Sequence, residues 1–325
     1  MTFTNEQQRI SRRSFIRQSA VFTAAAVTAS SIPFAHGARG RSARQEATYI
    51  DFQVHLGQKW ADRPAMSPDD LLRWMDEHGV GRAVVHPLVN PEARIVPLTT
   101  DWVLEQTRPH RDRLIPFCVI DPRHPSLDGV QPKVDLISRY VEGGARGFGE
   151  YKIGLPIDDP RSLEVYQACA ELDLPVLFHM DGYRNTDEPG LPGLENALQQ
   201  VPDATFVGHA QGWWASISGD VTQEEMYGYP EGPVAPGGAL DRLLEDYTNL
   251  YGDLSAGSGA NAIERDRTFG REFIIRWADR MLFATDYLAP GQDIPQFQLY
   301  RSLDLPAEVE AKVYRQNTRD LLTLR

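Results

Sequence analysis

From residue 47 onward the chain alternates between short apolar runs and longer stretches whose apolar positions recur at helical spacing. Eight apolar runs are rich in Val, Ile, Leu and Phe and are bounded by turn residues: 48–55 (TYIDFQVH), 82–87 (RAVVHP), 114–120 (LIPFCVI), 145–150 (ARGFGE), 175–180 (PVLFHM), 204–209 (ATFVGH), 249–254 (NLYGDL) and 281–286 (MLFATD). Short, near-continuous apolar runs are what parallel strands covered on both faces show. Between them, residues 67–79 open on Ser67-Pro68-Asp69-Asp70, a capping residue with proline in the first turn, and stop at Gly79. Residues 128–142 stop at Gly143-Gly144, residues 158–173 start at Asp158-Asp159-Pro160, and 260–277 and 306–323 are longer helical patterns. Strands alternating with helices in this way predict the α/β class and a closed (β/α)8 TIM barrel filling residues 47–325 as one domain. An open doubly wound sheet is the alternative. No GxGxxG follows a strand, so its dinucleotide-binding version lacks the phosphate loop it needs. The Pro/Gly-rich stretch 228–238 reads as a long loop after the sixth strand, and long loops at a barrel mouth tend to carry function.

The first residues break this pattern. Ser11-Arg12-Arg13-Ser14-Phe15-Ile16-Arg17 precedes a weakly apolar stretch, AVFTAAAVTASSIPFA, rich in Ala and Thr. The paired arginines with Phe two positions on predict a twin-arginine signal peptide over residues 1–37, followed by a polar linker at 38–46. The expected location is therefore periplasmic or extracellular. The apolar stretch is too short and too weakly hydrophobic to span a bilayer stably, so no membrane integration is expected.

Composition narrows the partners. Apolar residues make up 42% and charged residues 24%, which fits a soluble globular protein. The net charge of −12 argues against nucleic acid and anionic membrane surfaces. A small-molecule substrate remains, and a homo-oligomer is compatible with the same surface. The two cysteines, Cys118 in IPFCVI and Cys169 in a helical pattern, read as buried thiols.

Chemistry appears where the polar residues fall on the strands. Asp51, Gln53 and His55 alternate on the first strand and are expected to share a face. Glu150 and Lys152 share a face at the end of the fourth strand, while His179, His209 and Asp286 end the fifth, sixth and eighth. In a barrel these ends meet at one mouth, where active sites of this fold lie. Imidazoles and carboxylates converging there can hold a zinc or similar ion with an open position for catalysis. One such residue alone is ordinarily a hydrogen-bonded structural group or a helix cap. Four strand ends agreeing is hard to explain that way, because unpaired charge in a barrel mouth is costly.

At these residues the sequence resembles the amidohydrolase superfamily, in its amidohydrolase-related branch (amidohydrolase family 2), over roughly residues 47–325. YIDFQVHLG is similar to the family's His-x-His motif with its first His replaced by Gln53. LFHMD supplies His179, FVGHAQG supplies His209, LFATDY supplies Asp286, and QNTRDLL resembles the closing helix. The resemblance implies one divalent ion held by His55, His179 and Asp286, with His209 and Asp286 handling protons. Zinc is the first expectation, with manganese or magnesium as alternatives. Gln53 departs from the pattern: an amide oxygen can ligate a metal but is neutral and a weaker donor. Glu150 is the visible replacement as a ligand, the alternative being that it pairs with Lys152 and orients substrate. Lys152, His86, Arg123, Tyr183, Arg184 and Trp213 are expected to line the mouth and touch substrate, arginine suiting a carboxylate and aromatics an apolar wall.

The branch implies a metal-dependent hydrolase of a small ester, lactone or amide that can carry a carboxylate. A non-oxidative decarboxylase of a small or aromatic acid, a metal-free lactonase and a non-catalytic binding protein on a barrel scaffold are the alternatives.

Overall fold

The structure, a computed structural model, describes residues 48–59, 62–94 and 96–324. The expected signal peptide and the linker lie outside the described residues. Eight strands appear where the sequence places them: β1 (Tyr49–Val54), β2 (Val80–Val85), β3 (Leu114–Pro116), β4 (Phe148–Tyr151), β5 (Val176–His179), β6 (Phe206–His209), β7 (Leu250–Asp253) and β8 (Met281–Leu282). All pairings are parallel, in the orders β1-β2-β3 and β4-β5-β6-β7-β8. Backbone hydrogen bonds close the two groups into one barrel. Cys118 N donates to the Gly147 carbonyl (2.9 Å) and Gly149 N to the Cys118 carbonyl (2.8 Å), joining β3 to β4. Phe52 N donates to the Phe283 carbonyl (2.9 Å) and Asp286 N to the Gln53 carbonyl (2.9 Å), joining β8 to β1. The protein has the (β/α)8 fold.

The interior of the barrel is solid. Phe52, Val84, Ile115, Phe117, Leu177, Val207, Leu282 and Ala284 pack there, with Leu321, Leu322 and Leu324 against them. The larger cluster fills the layer between strands and helices, as this architecture requires.

Local chemistry sets the helix ends. In α1 (Pro68–His78) Ser67 Oγ accepts from Asp70 N (3.1 Å), and Gly79 in the left-handed region (φ +72°) ends the helix. The next two helices are α2 (Thr100–Thr107) and α3 (Val130–Glu142). In α4 (Pro160–Glu171) Asp159 is the cap, accepting from Arg161 N (2.9 Å). Then come α5 (Pro192–Gln200), α6 (Gln211–Ala215) and α7 (Ala239–Asp246). The single helix expected over 260–277 is two, α8 (Ala256–Glu264) and α9 (Arg267–Arg276), because Asp266 caps a new start by accepting from Phe269 N (3.1 Å). After α10 (Gln296–Arg301), the pattern at 306–323 forms α11 (Ala307–Ala311), a π turn over Lys312–Gln316 and α12 (Asn317–Leu321). The Val313 carbonyl in that π turn accepts from Phe283 N (3.0 Å), and Asn317 Nδ2 donates to the Ala278 and Met281 carbonyls (2.7 and 2.8 Å). The closing helix thus fixes β8. No helix among the described residues is long and apolar enough to cross a membrane. Both cysteines are buried and unpaired with each other.

Candidate metal centre

Strand β1 does not keep the strict alternation its sequence suggests. Phe52 packs inside the barrel, and a register shift between Asp51 and Val54 interrupts the ladder with β2. Asp51 latches β1 to β8: it accepts from Thr285 Oγ1 (2.6 Å), Thr285 N (3.0 Å) and Gln53 N (3.1 Å). Burial pushes its carboxyl up to about 8 against the pull of those three donors.

Past this latch, His55 sits at the mouth, fully buried. Its Nδ1 donates to the His86 carbonyl (3.0 Å). A carbonyl can only accept, so Nδ1 carries a proton and Nε2 is the atom turned toward the mouth. That Nε2 lies 3.4 Å from Glu150 Oε2 and 3.4 Å from Asp286 Oδ1. None of the three atoms has a hydrogen-bond partner among the described residues.

Strand β4 delivers Glu150. Gly149 (φ +141°) precedes it, and a Cβ there would lie 2.7 Å from the Leu177 carbonyl, so only glycine lets β4 approach β5 this closely. Glu150 is held well below the ordinary carboxylate range: burial opposes this, but Lys152, His179, His209 and His55 outweigh it. Lys152 Nζ donates to Glu150 Oε1 (2.8 Å).

His179 and His209 face the mouth side by side, paired in register on β5 and β6 and sharing the inward side with Leu177 and Val207. His179 Nδ1 is 2.7 Å from Glu150 Oε1, and Nε2 is 2.9 Å from Asp181 Oδ2. Burial and Lys152 lower its pKa and favour the neutral ring. A neutral ring has one proton for two carboxylates. With the proton on Nε2, the Nδ1 lone pair faces Glu150 Oε1.

His209 is charged more readily. Burial alone would depress it, but Asp253 and Glu150 on either side raise it to about 9. Its Nδ1 is 3.1 Å from Ser255 Oγ and 3.4 Å from Asp253 Oδ1, and its Nε2 is 3.5 Å from Glu150 Oε1. Gln53 reaches the same corner, where its Oε1 accepts from Ser255 Oγ (3.2 Å). Its amide oxygen is therefore occupied on the His209 side rather than at the lone pairs around His55.

Asp286 closes the ring in the left-handed region (φ +55°), an unfavourable conformation for a residue with a Cβ that its backbone bond to Gln53 holds. Burial would raise its carboxyl, but the Lys59 ammonium and His55 pull it well below the usual range. Lys59 was not singled out from sequence. It lies on the loop four residues after His55, and burial and Lys152 lower its pKa to about 8.

These atoms fit a cation. The Nε2 of His55, Oε2 of Glu150 and Oδ1 of Asp286 face one another with no hydrogen-bond partner among the described residues, and the Nδ1 of His179 lies beside Glu150 Oε1. Glu150, His179 and His209 offer ligand atoms all within 4.8 Å of one another. Nitrogen and carboxylate donors together suit zinc or manganese.

Other residues expected at the mouth lie elsewhere or are engaged. His86 is fully buried beneath His55, between Phe52 and Phe117; its Nε2 donates to the Phe52 carbonyl (2.9 Å), and burial pushes its pKa down to about 3. Trp213 is buried in the strand–helix layer against Phe178, and a Cβ on Gly208 would lie 2.3 Å from its ring. Arg123 is spent on Glu92 (3.0 Å) and Asp121 (2.8 Å). Arg184 binds Asp181 and the Glu92 carbonyl. Tyr183 is 78% exposed. The loop 228–238 brings Tyr229 to the mouth, where its hydroxyl accepts from Gln211 Nε2 (3.4 Å), two residues past His209.

The amidohydrolase family profile matches residues 50–324. The chain belongs to the amidohydrolase family. Among curated proteins none matches the sequence. Solved structures share the fold of this amidohydrolase. An uncharacterised TIM-barrel protein from Bordetella bronchiseptica has a TM-score of 0.60 at 15% identity, covering 85% of this chain and 98% of that one. A probable 2-pyrone-4,6-dicarboxylic acid hydrolase from Acinetobacter baumannii, with citric acid bound, has a TM-score of 0.56 at 13% identity, covering 85% and 100%. A dihydroxybenzoic acid decarboxylase from Polaromonas, with bound manganese and the inhibitor 2-nitroresorcinol, has a TM-score of 0.52 at 16% identity, covering 85% and 97%.

Proposed function

We propose that this amidohydrolase is a metal-dependent hydrolase of a small ester, lactone or amide that carries a carboxylate. The observation that supports it is the set of unpartnered atoms on His55, Glu150 and Asp286 beside His179, which a divalent ion would satisfy. Zinc is our first assignment, with manganese the alternative that the two carboxylates favour. When bound, such an ion supplies Lewis acidity toward a carbonyl oxygen.

The chain supplies the rest. Asp286, kept ionised by Lys59 and His55, accepts the proton of the attacking water. His209, kept protonated by Asp253 and Glu150, donates to the developing oxyanion and then to the leaving group. Lys59 and Lys152 place two ammonium groups beside the reacting centre, where a substrate carboxylate would be held. The protonated His209 also favours a second reading, non-oxidative decarboxylation. There the same proton would pass to the carbon that loses carbon dioxide, and the manganese-bearing decarboxylase of the same fold makes that chemistry worth assaying.

The experiment is elemental analysis of the purified protein joined to a turnover screen of carboxylate-bearing lactones, esters, amides and aromatic acids. About one divalent ion per chain is expected, as for a mononuclear catalytic site. His179→Ala and Asp286→Ala should each lose the ion and the activity. Acid release without carbon dioxide supports hydrolysis, and trapped carbon dioxide supports the second reading. Full activity in a metal-free wild type would overturn both.

A further inference from the structure

On the face of the barrel opposite the mouth, the starts of β2 to β5 border a cleft of about 760 Å³. That lies within the range of small-molecule sites, about 300–1,000 Å³. Leu114, Ile115, Leu174 and Leu322 supply apolar walls, and Ile115 and Leu322 belong to the cluster that fills the barrel. Arg82, Arg111 and Arg146 line the same cleft, together with one acid, Asp173. Arg111 and Arg146 form no ion pair with Asp173 or with another carboxylate among the described residues.

Arg111 has a structural task that leaves its charge unmatched. Its Nη2 donates to the Gly143 carbonyl (2.7 Å) and the Leu104 carbonyl (3.3 Å), closing the end of α3. Both acceptors are neutral. Its Nε is buried with no hydrogen-bond partner. Gly144 lets the guanidinium lie there, since a Cβ on that residue would collide with Nη1. Burial and the nearby Arg108 and Arg146 lower the pKa of Arg111. The Arg146 side chain is exposed, and its guanidinium has no hydrogen-bond partner among the described residues. Two like charges at one apolar cleft repel each other, and a bound anion would relieve both.

We propose that this cleft is a second binding site, for a small aliphatic carboxylate whose head bridges Arg111 Nη1 and the Arg146 guanidinium while its chain lies on Leu114, Ile115, Leu174 and Leu322. Guanidinium groups suit a carboxylate geometrically as well as by charge. Neither the ion nor the mouth takes part, since the cleft lies at the other end of the strands.

The test is calorimetric titration of the purified protein with monomeric decanoate, hexanoate, acetate and decyltrimethylammonium. Decanoate should bind, with affinity rising about fourfold for each methylene buried. Acetate lacks the chain and decyltrimethylammonium the negative charge, so neither should bind. Arg146→Gln should weaken decanoate about tenfold or more, the scale of a hydrogen bond to a charged group, and it removes no bond that the fold uses. Arg108→Gln, beside Arg111 but outside the cleft, should leave binding unchanged, as should Lys59→Met at the mouth. His179→Ala should bind decanoate like the wild type, so a failure of the metal reading leaves this result standing. No binding of decanoate, equal binding of decyltrimethylammonium, or unchanged binding in Arg146→Gln overturns the proposal. Loss in Lys59→Met also overturns it, by placing the carboxylate at the mouth.

Discussion

His55 shows how a single hydrogen bond selects a chemistry. Its bond to the His86 carbonyl fixes a proton on Nδ1 and turns Nε2 onto two carboxylates. Lys59 makes the corresponding point for charge. Burial and Lys152 lower its pKa to about 8, so it is cationic below that pH and neutral above it. If it grips a substrate carboxylate, KM for an acidic substrate rises as pH climbs through about 8. Lys59→Arg should remove that rise, because a guanidinium stays charged. Lys59→Met should raise KM at neutral pH roughly tenfold or more, the scale of a hydrogen bond to a charged group. Steady-state kinetics across pH check this, and an unchanged KM in Lys59→Met removes Lys59 from substrate binding. At this scale His55, Glu150, His179, His209 and Asp286 were legible, because strand ends of a barrel must converge. Asp181 and Asp253 sit at or just past strand ends and could have been read by the same rule. Lys59 lies on a loop, and hydrophobic periodicity carries no information about where a loop leads. The engagement of Arg123 and Arg184 was hidden because Glu92 comes from a loop distant in sequence.

Strand β6 and the helix after it act as a unit. Gly208 presents no side chain to the helix layer, and the Trp213 ring fills that space. Gly208→Ala places a methyl 2.3 Å from the ring, so Trp213 must shift. The expected loss is about 1–3 kcal/mol, as for overpacked cores, measured by urea unfolding. His209 follows Gly208 directly, so its position should change with it; unaltered stability would show that the ring is not wedged there. Elements were legible where both the strand pattern and a cap were present, as at Ser67 to Gly79. The split at Asp266 was not, since apolar spacing runs through it while one carboxylate, accepting from Phe269 N, restarts the helix. Helix α6 was missed because five residues hold too little periodicity to see.

For the whole molecule, the centre draws on β1, β4, β5, β6 and β8, so an ion held there would tie the barrel together across its closure. Anything that binds only the folded state stabilises it by mass action. A divalent ion at a hundredfold excess over its Kd should therefore add about 2.7 kcal/mol to unfolding, read as a shift in the urea midpoint with and without chelator. No shift would place the ion outside the folded barrel.

The leucines that pack under the barrel interior have a further consequence. Leu321, Leu322 and Leu324 pack with Phe52, Phe117 and Leu177 at the end away from the mouth, so the way to the centre among the described residues is through the mouth. Substrate and product would then share that route. If Lys59 and Lys152 draw in an acidic substrate, an acidic product would leave past the same ammonium groups and should act as a competitive inhibitor of its own formation.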